Sequence, residues 1–249
     1  MKILKNLIII CVVALLIIIY ITNKDEKIYY TSMGDGLSLG INTNDKISYG
    51  YSDYVKEYLK NINKLELYTK KFSNKDKRII DIINDIEDNI VIEEDDKTIT
   101  IKKALMKSDL ITLSTGLNEI LYKLNNKDYN DYTMYEYIDE LMIDYEELID
   151  TIKRYCKEDI MILGYYNPFI NKLNYDIANN IIVYANNKLI ELCKKEDIYY
   201  IDLYNLFKNN GKVFININSY YPNTDGYKLI SNQIIEIIEK NITKSSKTV

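Results

Sequence analysis

The 249-residue chain contains no histidine and no tryptophan, and it has only two prolines and eight glycines. Without histidine, the protein can use neither an imidazole as a general base nor an imidazole as a metal ligand. The few prolines and glycines form no linker-like stretch, so one domain is the economical interpretation. The lack of tryptophan beside abundant Ile, Asn, Lys and Tyr is typical of the codon usage of an A/T-rich genome.

The chain also lacks any cluster of basic residues. It has 32 basic and 37 acidic residues, a net charge of −5, which argues against nucleic acid as a partner. The acidic run at residues 93–96 lacks the spaced oxygen ligands of a calcium loop, and we predict it as a solvated loop. We therefore predict neither a metal nor another cofactor.

The longest apolar run lies at the N-terminus, 15 residues from Leu7 to Ile21. Lys2 and Lys5 precede this run, which predicts a cytoplasmic N-terminus. Fifteen residues are few for a membrane span, but flanking apolar residues and a snorkelling lysine extend it. We predict a single-pass transmembrane helix in residues 1–24, which anchors the protein in the cell membrane, and an extracytoplasmic domain in residues 25–249.

A cleaved signal peptide, which would make the protein secreted, is the alternative. It has the same basic start and apolar run, but it needs small residues at the cleavage site. The run ends in bulky residues, Ile19-Tyr20-Ile21-Thr22. Cys11 follows Ile10, where lipoprotein processing requires a small residue.

Two cysteines remain beyond the apolar run. Cys156 and Cys193 occupy the same local setting, each at the end of a predicted helix and before a predicted strand. Two thiols outside the cell could pair. Because spacing alone cannot bring their Cα atoms within reach, two free cysteines packed at helix ends is the simpler interpretation.

Apolar strands and amphipathic helices alternate along the rest of the chain. Apolar runs predict strands at Ile28–Met33, Leu65–Thr69, Leu110–Ser114, Ile160–Leu163 and Ile198–Ile201. Helical spacing predicts helices from a Ser52 N-cap onward and at Asp76–Glu87, Tyr135–Tyr155, Tyr175–Leu192 and Asp225–Ile238, with a further short element at Thr98–Met106. Strands that are apolar throughout imply a parallel sheet covered on both faces, a three-layer α/β/α sandwich.

In such sheets ligands bind beyond the carboxyl ends of the strands, and four segments fall there: residues 34–38, 115–119, 164–168 and 218–223. The first, residues 34–38, reads Gly-Asp-Gly-Leu-Ser. It resembles the Gly-Asp-Ser-Leu-Ser block that opens the SGNH (GDSL-type) esterases and lipases, which implies their flavodoxin-like parallel sheet. In that family the first serine is the nucleophile. Asp35 matches the block, whereas Gly36 stands at the serine position and has no hydroxyl.

The resemblance extends to later blocks of the family. Gly116-Leu117-Asn118-Glu119 resembles the Gly-x-Asn-Asp block, so Asn118 inherits the role of a side-chain donor to the oxyanion. The family's last block places an aspartate and a histidine before Pro-Asn; here Asn218 and Tyr221 stand at those two positions, before Pro222. A glycine that lends its backbone N–H to the oxyanion should follow the second strand, but Phe72-Ser73-Asn74 contains none.

All three triad positions, Gly36, Asn218 and Tyr221, are therefore replaced. A tyrosine, with an ordinary pKa of about 10, is a poor base at neutral pH. Asn218 carries no charge to stabilise a cation. The resemblance implies a ligand site formed by Asp35, Gly36, Gly116, Asn118 and Tyr221, without an intact catalytic residue.

Other groups are weaker candidates for a substitute reaction. Ser38 lies near the nucleophile position but reads as a cap or turn hydroxyl. Asp35 and Glu119 could form a carboxylate pair of the glycosidase type, although nothing fixes their separation. Tyrosines 165, 166, 220 and 221 could form an aromatic wall that stacks on a sugar.

Three hypotheses follow. The protein is a membrane-anchored pseudo-esterase whose pocket binds an acyl-ester, glycan or protein ligand; or an active esterase or acyl hydrolase that uses substitute residues on lipid or cell-wall esters; or a structural protein with a vestigial pocket.

Overall fold

The computed structural model describes residues 27–94, 97–125, 131–169, 175–208, 210–213 and 219–245. The predicted anchor, residues 1–24, and the triad-equivalent Asn218 lie outside these ranges. Across the described residues, no helix has the length and apolar character that a membrane crossing requires.

In the described part of the chain, a parallel sheet of five strands forms the centre of the fold. Its strands are β1 (Ile28–Gly34), β2 (Leu65–Thr69), β5 (Leu110–Ser114), β6 (Asp159–Leu163) and β7 (Tyr199–Ile201), and a separate hairpin supplies β3 (Val91–Glu94) and β4 (Lys97–Thr100). The spatial order is β2-β1-β5-β6-β7. This is the flavodoxin-like order, and it confirms the predicted parallel sheet.

Helices cover the sheet in a three-layer arrangement. They are α1 (Gly36–Leu39), α2 (Tyr51–Asn61), α3 (Ile79–Glu87), α4 (Ile101–Lys107), α5 (Leu117–Asn125), α6 (Asp131–Lys153), α7 (Tyr175–Lys195), α8 (Leu203–Lys208) and α9 (Thr224–Ser245). Helix α2 packs against α9, and α6 packs against α3 and α7. All five residues of β5 are buried, as expected for a strand between two helical layers.

The start of α2 differs from the prediction. The N-cap is Gly50, and the Asp53 carboxylate accepts a hydrogen bond from the Gly50 N–H at 2.8 Å. Ser52 is instead fully buried, and its hydroxyl lies 2.9 Å from the Tyr68 phenol oxygen. The prediction that Ser52 caps α2 was therefore wrong. The Asp53 side chain, one residue later, supplies the acceptor for the free N–H of Gly50.

The acidic run was also misread in part. Glu93 and Glu94 belong to β3, which pairs antiparallel with β4, so they are strand residues and not loop residues. Asp95 and Asp96 lie outside the described residues. Charged side chains are compatible with this short two-stranded ribbon because Glu93 is exposed to solvent.

Cys156 and Cys193 are both buried and unpaired, which confirms the simpler interpretation. The Cys156 thiol lies 3.4 Å from the Ser108 carbonyl oxygen, to which it donates. Burial raises the pKa of Cys193 to about 12. Such a thiol is unreactive at neutral pH, which is typical of a cysteine that only packs.

The chain reverses its direction of winding between β1 and β5. These two neighbours lie on either side of the switch point, and Gly34, the last residue of β1, pairs with Ser114, the last residue of β5. Ligands of doubly wound sheets bind in the crevice that opens at this point. The fold therefore places the segments 34–38 and 115–119 side by side.

Candidate functional site

The turn after β1 requires glycine at position 34. Gly34 has φ +129°, and a Cβ built there would lie 1.8 Å from the Ser114 carbonyl oxygen. The Asp35 N–H donates to that same oxygen at 2.8 Å. The glycine of the motif thus lets the β1 turn close directly onto the end of β5.

Asp35 organises this turn. Its Oδ1 accepts hydrogen bonds from the Leu37 N–H at 3.0 Å and from the Ser114 hydroxyl at 2.8 Å. The side chain is 3% exposed, and the loss of hydration raises its pKa to about 7 even though these hydrogen bonds favour the charged form. Asp35 caps α1 and holds it against β5.

The Tyr221 side chain occupies the space into which a side chain at position 36 would project. A Cβ built on Gly36 would lie 2.2 Å from the Tyr221 phenol oxygen and 2.6 Å from the ring carbon that bears it. The tyrosine ring therefore covers the position from which a nucleophile would project. Burial raises the pKa of Tyr221 well above its ordinary value, so the phenol stays protonated and is a donor, not a base.

Three donors of the site converge on one acceptor of the chain itself. The Lys75 carbonyl oxygen accepts from the Asn118 side-chain amide at 3.0 Å and from the Gly36 N–H at 3.1 Å. The Tyr221 phenol donates to the same oxygen at 3.4 Å. Asn118 is the side-chain donor that the resemblance implies for an oxyanion, and here Asn118 and Gly36 both hold a backbone carbonyl.

Glu119 has a structural partner. Its Oε1 accepts from the Ile79 N–H at 2.9 Å and thereby caps the first turn of α3. Its Oε2 is buried and makes no hydrogen bond within the described part of the chain. Burial raises the pKa of Glu119. Glu119 and Asp35 each accept from a backbone N–H, so both carboxylates have a structural contact.

Gly116 and Ser38 also have packing roles. Gly116 has φ +92°, and a Cβ there would lie 2.5 Å from the Tyr165 phenol oxygen. The Ser38 hydroxyl is completely buried and donates to the Met33 carbonyl oxygen at 2.8 Å. Ser38 therefore stabilises the α1 turn, as the sequence suggested, and its oxygen faces the sheet and not the site.

A cleft of about 1170 Å³ opens above these donors. Its lining combines polar, charged and aromatic side chains and includes Asp45, Lys75, Asp76, Arg78, Asn118, Glu119, Tyr122, Lys123, Tyr137, Tyr220 and Tyr221. Tyr165 and Tyr166 are buried and do not line it. Of the predicted aromatic wall, Tyr220 and Tyr221 thus lie in the cleft.

Sequence reasoning missed Tyr122 and Tyr137. Tyr122 is 71% exposed on α5, and Tyr137 lies on α6 with the Lys123 amine 5.3 Å from its ring centroid. The signal for Tyr122 was an amphipathic helix directly after the Gly116 turn, which places one helical face over the switch point. No group of three or more acidic or cysteine side chains suited to a metal occurs among the described residues.

Known proteins that resemble this chain include lipases and esterases. No family model matches the chain. The spore germination lipase LipC of Bacillus licheniformis is 22% identical over 212 residues, 82% of this chain and 93% of that protein. Among solved structures, the lipase Lip_vut3 from a goat rumen metagenome superposes with a TM-score of 0.70 at 21% identity, over 83% of this chain and 95% of that one.

Two further structures extend the comparison. An extracellular lipase from Streptomyces rimosus has a TM-score of 0.61 at 14% identity, over 83% of this chain and 98% of that one. A catalytic mutant of Axe2, an acetylxylan esterase from Geobacillus stearothermophilus, has a TM-score of 0.60 at 14% identity, over 83% of this chain and 92% of that one. The chain thus has the fold of the SGNH (GDSL-type) hydrolases, as the resemblance implied.

Proposed function

We propose that this protein is a non-hydrolytic relative of the SGNH esterases, which binds a ligand in the cleft at the carboxyl ends of its strands. One observation carries the proposal: the Tyr221 ring fills the space over Gly36, at the position of the family's nucleophile. Asn118 and Gly36, the two donors suited to an oxyanion, meanwhile hold the Lys75 carbonyl.

The chemistry of ester hydrolysis has no support from these side chains. Gly36 supplies no hydroxyl, and the protonated Tyr221 phenol cannot accept a proton from an attacking group. Loss of a catalytic triad costs about a million-fold in turnover in a well-studied protease, and the remainder comes from oxyanion donors and binding. Because Asn118 and Gly36 already donate to the Lys75 carbonyl, even the residual rate enhancement from oxyanion donors is reduced.

The lining of the cleft favours an oligosaccharide as the ligand. Three tyrosines, Tyr122, Tyr137 and Tyr220, present ring surface beside acidic, basic and amide groups. Aromatic rings combined with a few placed polar groups suit a ligand with both apolar faces and hydroxyls. The acetylxylan esterase among the structural relatives acts on an acetylated glycan, which makes cell-wall carbohydrate the first class to test.

We place the domain outside the cell, held by the apolar N-terminal run. The run from Leu7 to Ile21 with its preceding lysines supports an anchor whose N-terminus is cytoplasmic. A structural relative is described as an extracellular lipase, which is compatible with an extracytoplasmic domain. A secreted form remains the alternative.

Tyr122→Ala is the test of the binding role. We expect the purified full chain to bind N-acetylglucosamine or acetylated xylose oligosaccharides saturably in calorimetry. The variant should bind about tenfold more weakly, because a stacking ring is lost while the exposed position leaves the fold intact. Ile143→Ala, which removes an equally exposed apolar side chain on α6, is the matched control and should bind as the unmodified chain does.

The other two hypotheses predict different results. An active esterase would release acetate from the acetylated oligosaccharide. A structural protein with a vestigial pocket would bind neither oligosaccharide, and Tyr122→Ala would then have no effect in any assay.

A further inference from the structure

The Lys75 carbonyl oxygen lies among the donors of the site, where an oxygen atom of a ligand would lie. It receives contacts from the Asn118 amide at 3.0 Å, the Gly36 N–H at 3.1 Å and the Tyr221 phenol at 3.4 Å. A carbonyl oxygen has two lone pairs, so two donors saturate it and the third contact is long. The cluster therefore offers more donor capacity than its present acceptor uses.

The segment that carries Lys75 is tethered on both sides of this carbonyl. Before it, the Asn74 N–H donates to the Gly34 carbonyl at 3.0 Å. After it, the Ile79 N–H donates to Glu119 Oε1 at 2.9 Å. Gly34 lies two residues before Gly36, and Glu119 directly follows Asn118 on α5. The segment is therefore held over the cluster by residues close to two of its three donors.

The same segment lines the cleft. Lys75 and Asp76 contribute to its wall beside Asn118 and Tyr221, so the carbonyl lies at the boundary between the donors and the cleft. The Asp76 N–H would turn inward if this peptide plane rotated. Among the residues that the structure describes, it has only a long contact of 3.4 Å to the Asn74 side-chain oxygen. Little therefore holds the amide side of the plane in its present direction.

We propose that the Lys75 carbonyl is an internal occupant of this donor cluster, and that a ligand bearing a carbonyl or carboxylate oxygen binds there by displacing it. The proposal rests on the proposed function in taking the cleft as a ligand site. It does not depend on the absence of turnover, since an ester substrate would meet the same carbonyl. The apparent affinity is the intrinsic affinity reduced by the fraction of molecules in which the carbonyl has moved.

The test is a titration of the isotopically labelled full chain, followed by nuclear magnetic resonance, with acetate in one arm and acetamide in the other. We expect the Gly36 N–H, the Asn118 side-chain amide and the Lys75 carbonyl carbon to shift together with one midpoint. A response to acetate alone would assign the site to carboxylates, and a response to both would assign it to any carbonyl oxygen.

Glu119 supplies the matched pair of variants. Glu119→Ala removes one tether, raises the fraction of displaced carbonyl and should lower the midpoint about five- to tenfold. Glu119→Gln keeps an oxygen that can accept from the Ile79 N–H, so it should bring the midpoint back from the Glu119→Ala value toward that of the unmodified chain. A chemical-shift map of each variant without ligand shows whether it is folded.

Three results would overturn the proposal. Gly36 and Asn118 could respond without Lys75, the response could be confined to the outer cleft around Tyr122, or no resonance could move in either the unmodified chain or Glu119→Ala. Ester turnover measured on the same samples separates this proposal from the proposed function. A hydrolytic chain in which Lys75 is displaced would refute the latter and keep the former.

Discussion

Gly36→Ala lowers the free energy of unfolding by about 2–3 kcal/mol in the otherwise unmodified chain. The added Cβ would lie 2.2 Å from the Tyr221 phenol oxygen, so the ring must leave its place. Tyr221 is only 9% exposed, and its displacement sacrifices burial and the contact with Lys75. Urea unfolding of the two proteins, followed by circular dichroism, measures the difference.

Gly36→Ala should no longer destabilise the protein when the Tyr221 ring is absent. In a Tyr221→Ala background, Gly36→Ala should be neutral or stabilising by about 0.5 kcal/mol, because Gly36 begins α1 and alanine is the better helix former. The coupling free energy between the two positions is then about 2–3 kcal/mol. Tyr221→Phe is the control, since it keeps the ring and should keep the penalty.

This double-mutant cycle tests whether packing against Tyr221 is the reason for glycine at position 36. A large coupling means that the tyrosine requires the missing side chain, so both replacements belong to one packing arrangement. Additive effects in the four proteins would instead mean that Gly36 is merely tolerated, and the steric part of the account would be wrong.

Asp35→Asn changes how stability depends on pH. Burial raises the pKa of Asp35 to about 7 in the folded chain, whereas an unfolded aspartate titrates near about 3.9. Between these values the folded state binds the proton more tightly, so this group's stabilisation is complete below about pH 4 and is lost as the pH rises through about 7. The loss amounts to at most about 4 kcal/mol.

The measurement compares unfolding free energies of the two proteins at several pH values. The variant has no carboxyl group at position 35, so its stability relative to the unmodified chain should increase from pH 4 to pH 8. Asp81→Asn is a control of opposite sign at lower pH. The hydrogen bond from Arg78 lowers the pKa of Asp81, so the stabilisation from this group is present above about pH 4 and is lost as the pH falls below that. A difference between Asp35→Asn and the unmodified chain that does not vary with pH would show that Asp35 titrates normally.

The central sheet was predictable because its signals are local. Runs such as Leu110–Ser114 contain no charged residue and are followed by a glycine turn, and the predicted range equals the observed β5. Helix starts were less predictable. Ser52 looked like the cap of α2, but a cap depends on which side chain reaches the free N–H groups, and Asp53 reaches Gly50.

The location of the site was predictable from the sequence, but the contacts among its residues were not. The Gly-Asp turn and the Gly-x-Asn turn predicted that Asp35, Gly36 and Asn118 would meet at the switch point. The engagement of Asn118 and Gly36 by Lys75 was not predictable, because nothing in the letters Asn-Lys-Asp tells which way a peptide plane faces. Nor does sequence reveal that Tyr221, 185 positions beyond Gly36, lies against it.

The most direct test of the account is the hydrolysis of a short acyl ester such as p-nitrophenyl acetate by the full chain, beside Asn118→Ala prepared in the same way. Asn118 is the donor that any hydrolysis at this site would use, so the variant separates turnover by this protein from a contaminating esterase. We predict that both proteins hydrolyse the ester no faster than the buffer does. Turnover well above the buffer rate that falls at least tenfold in Asn118→Ala would contradict the account.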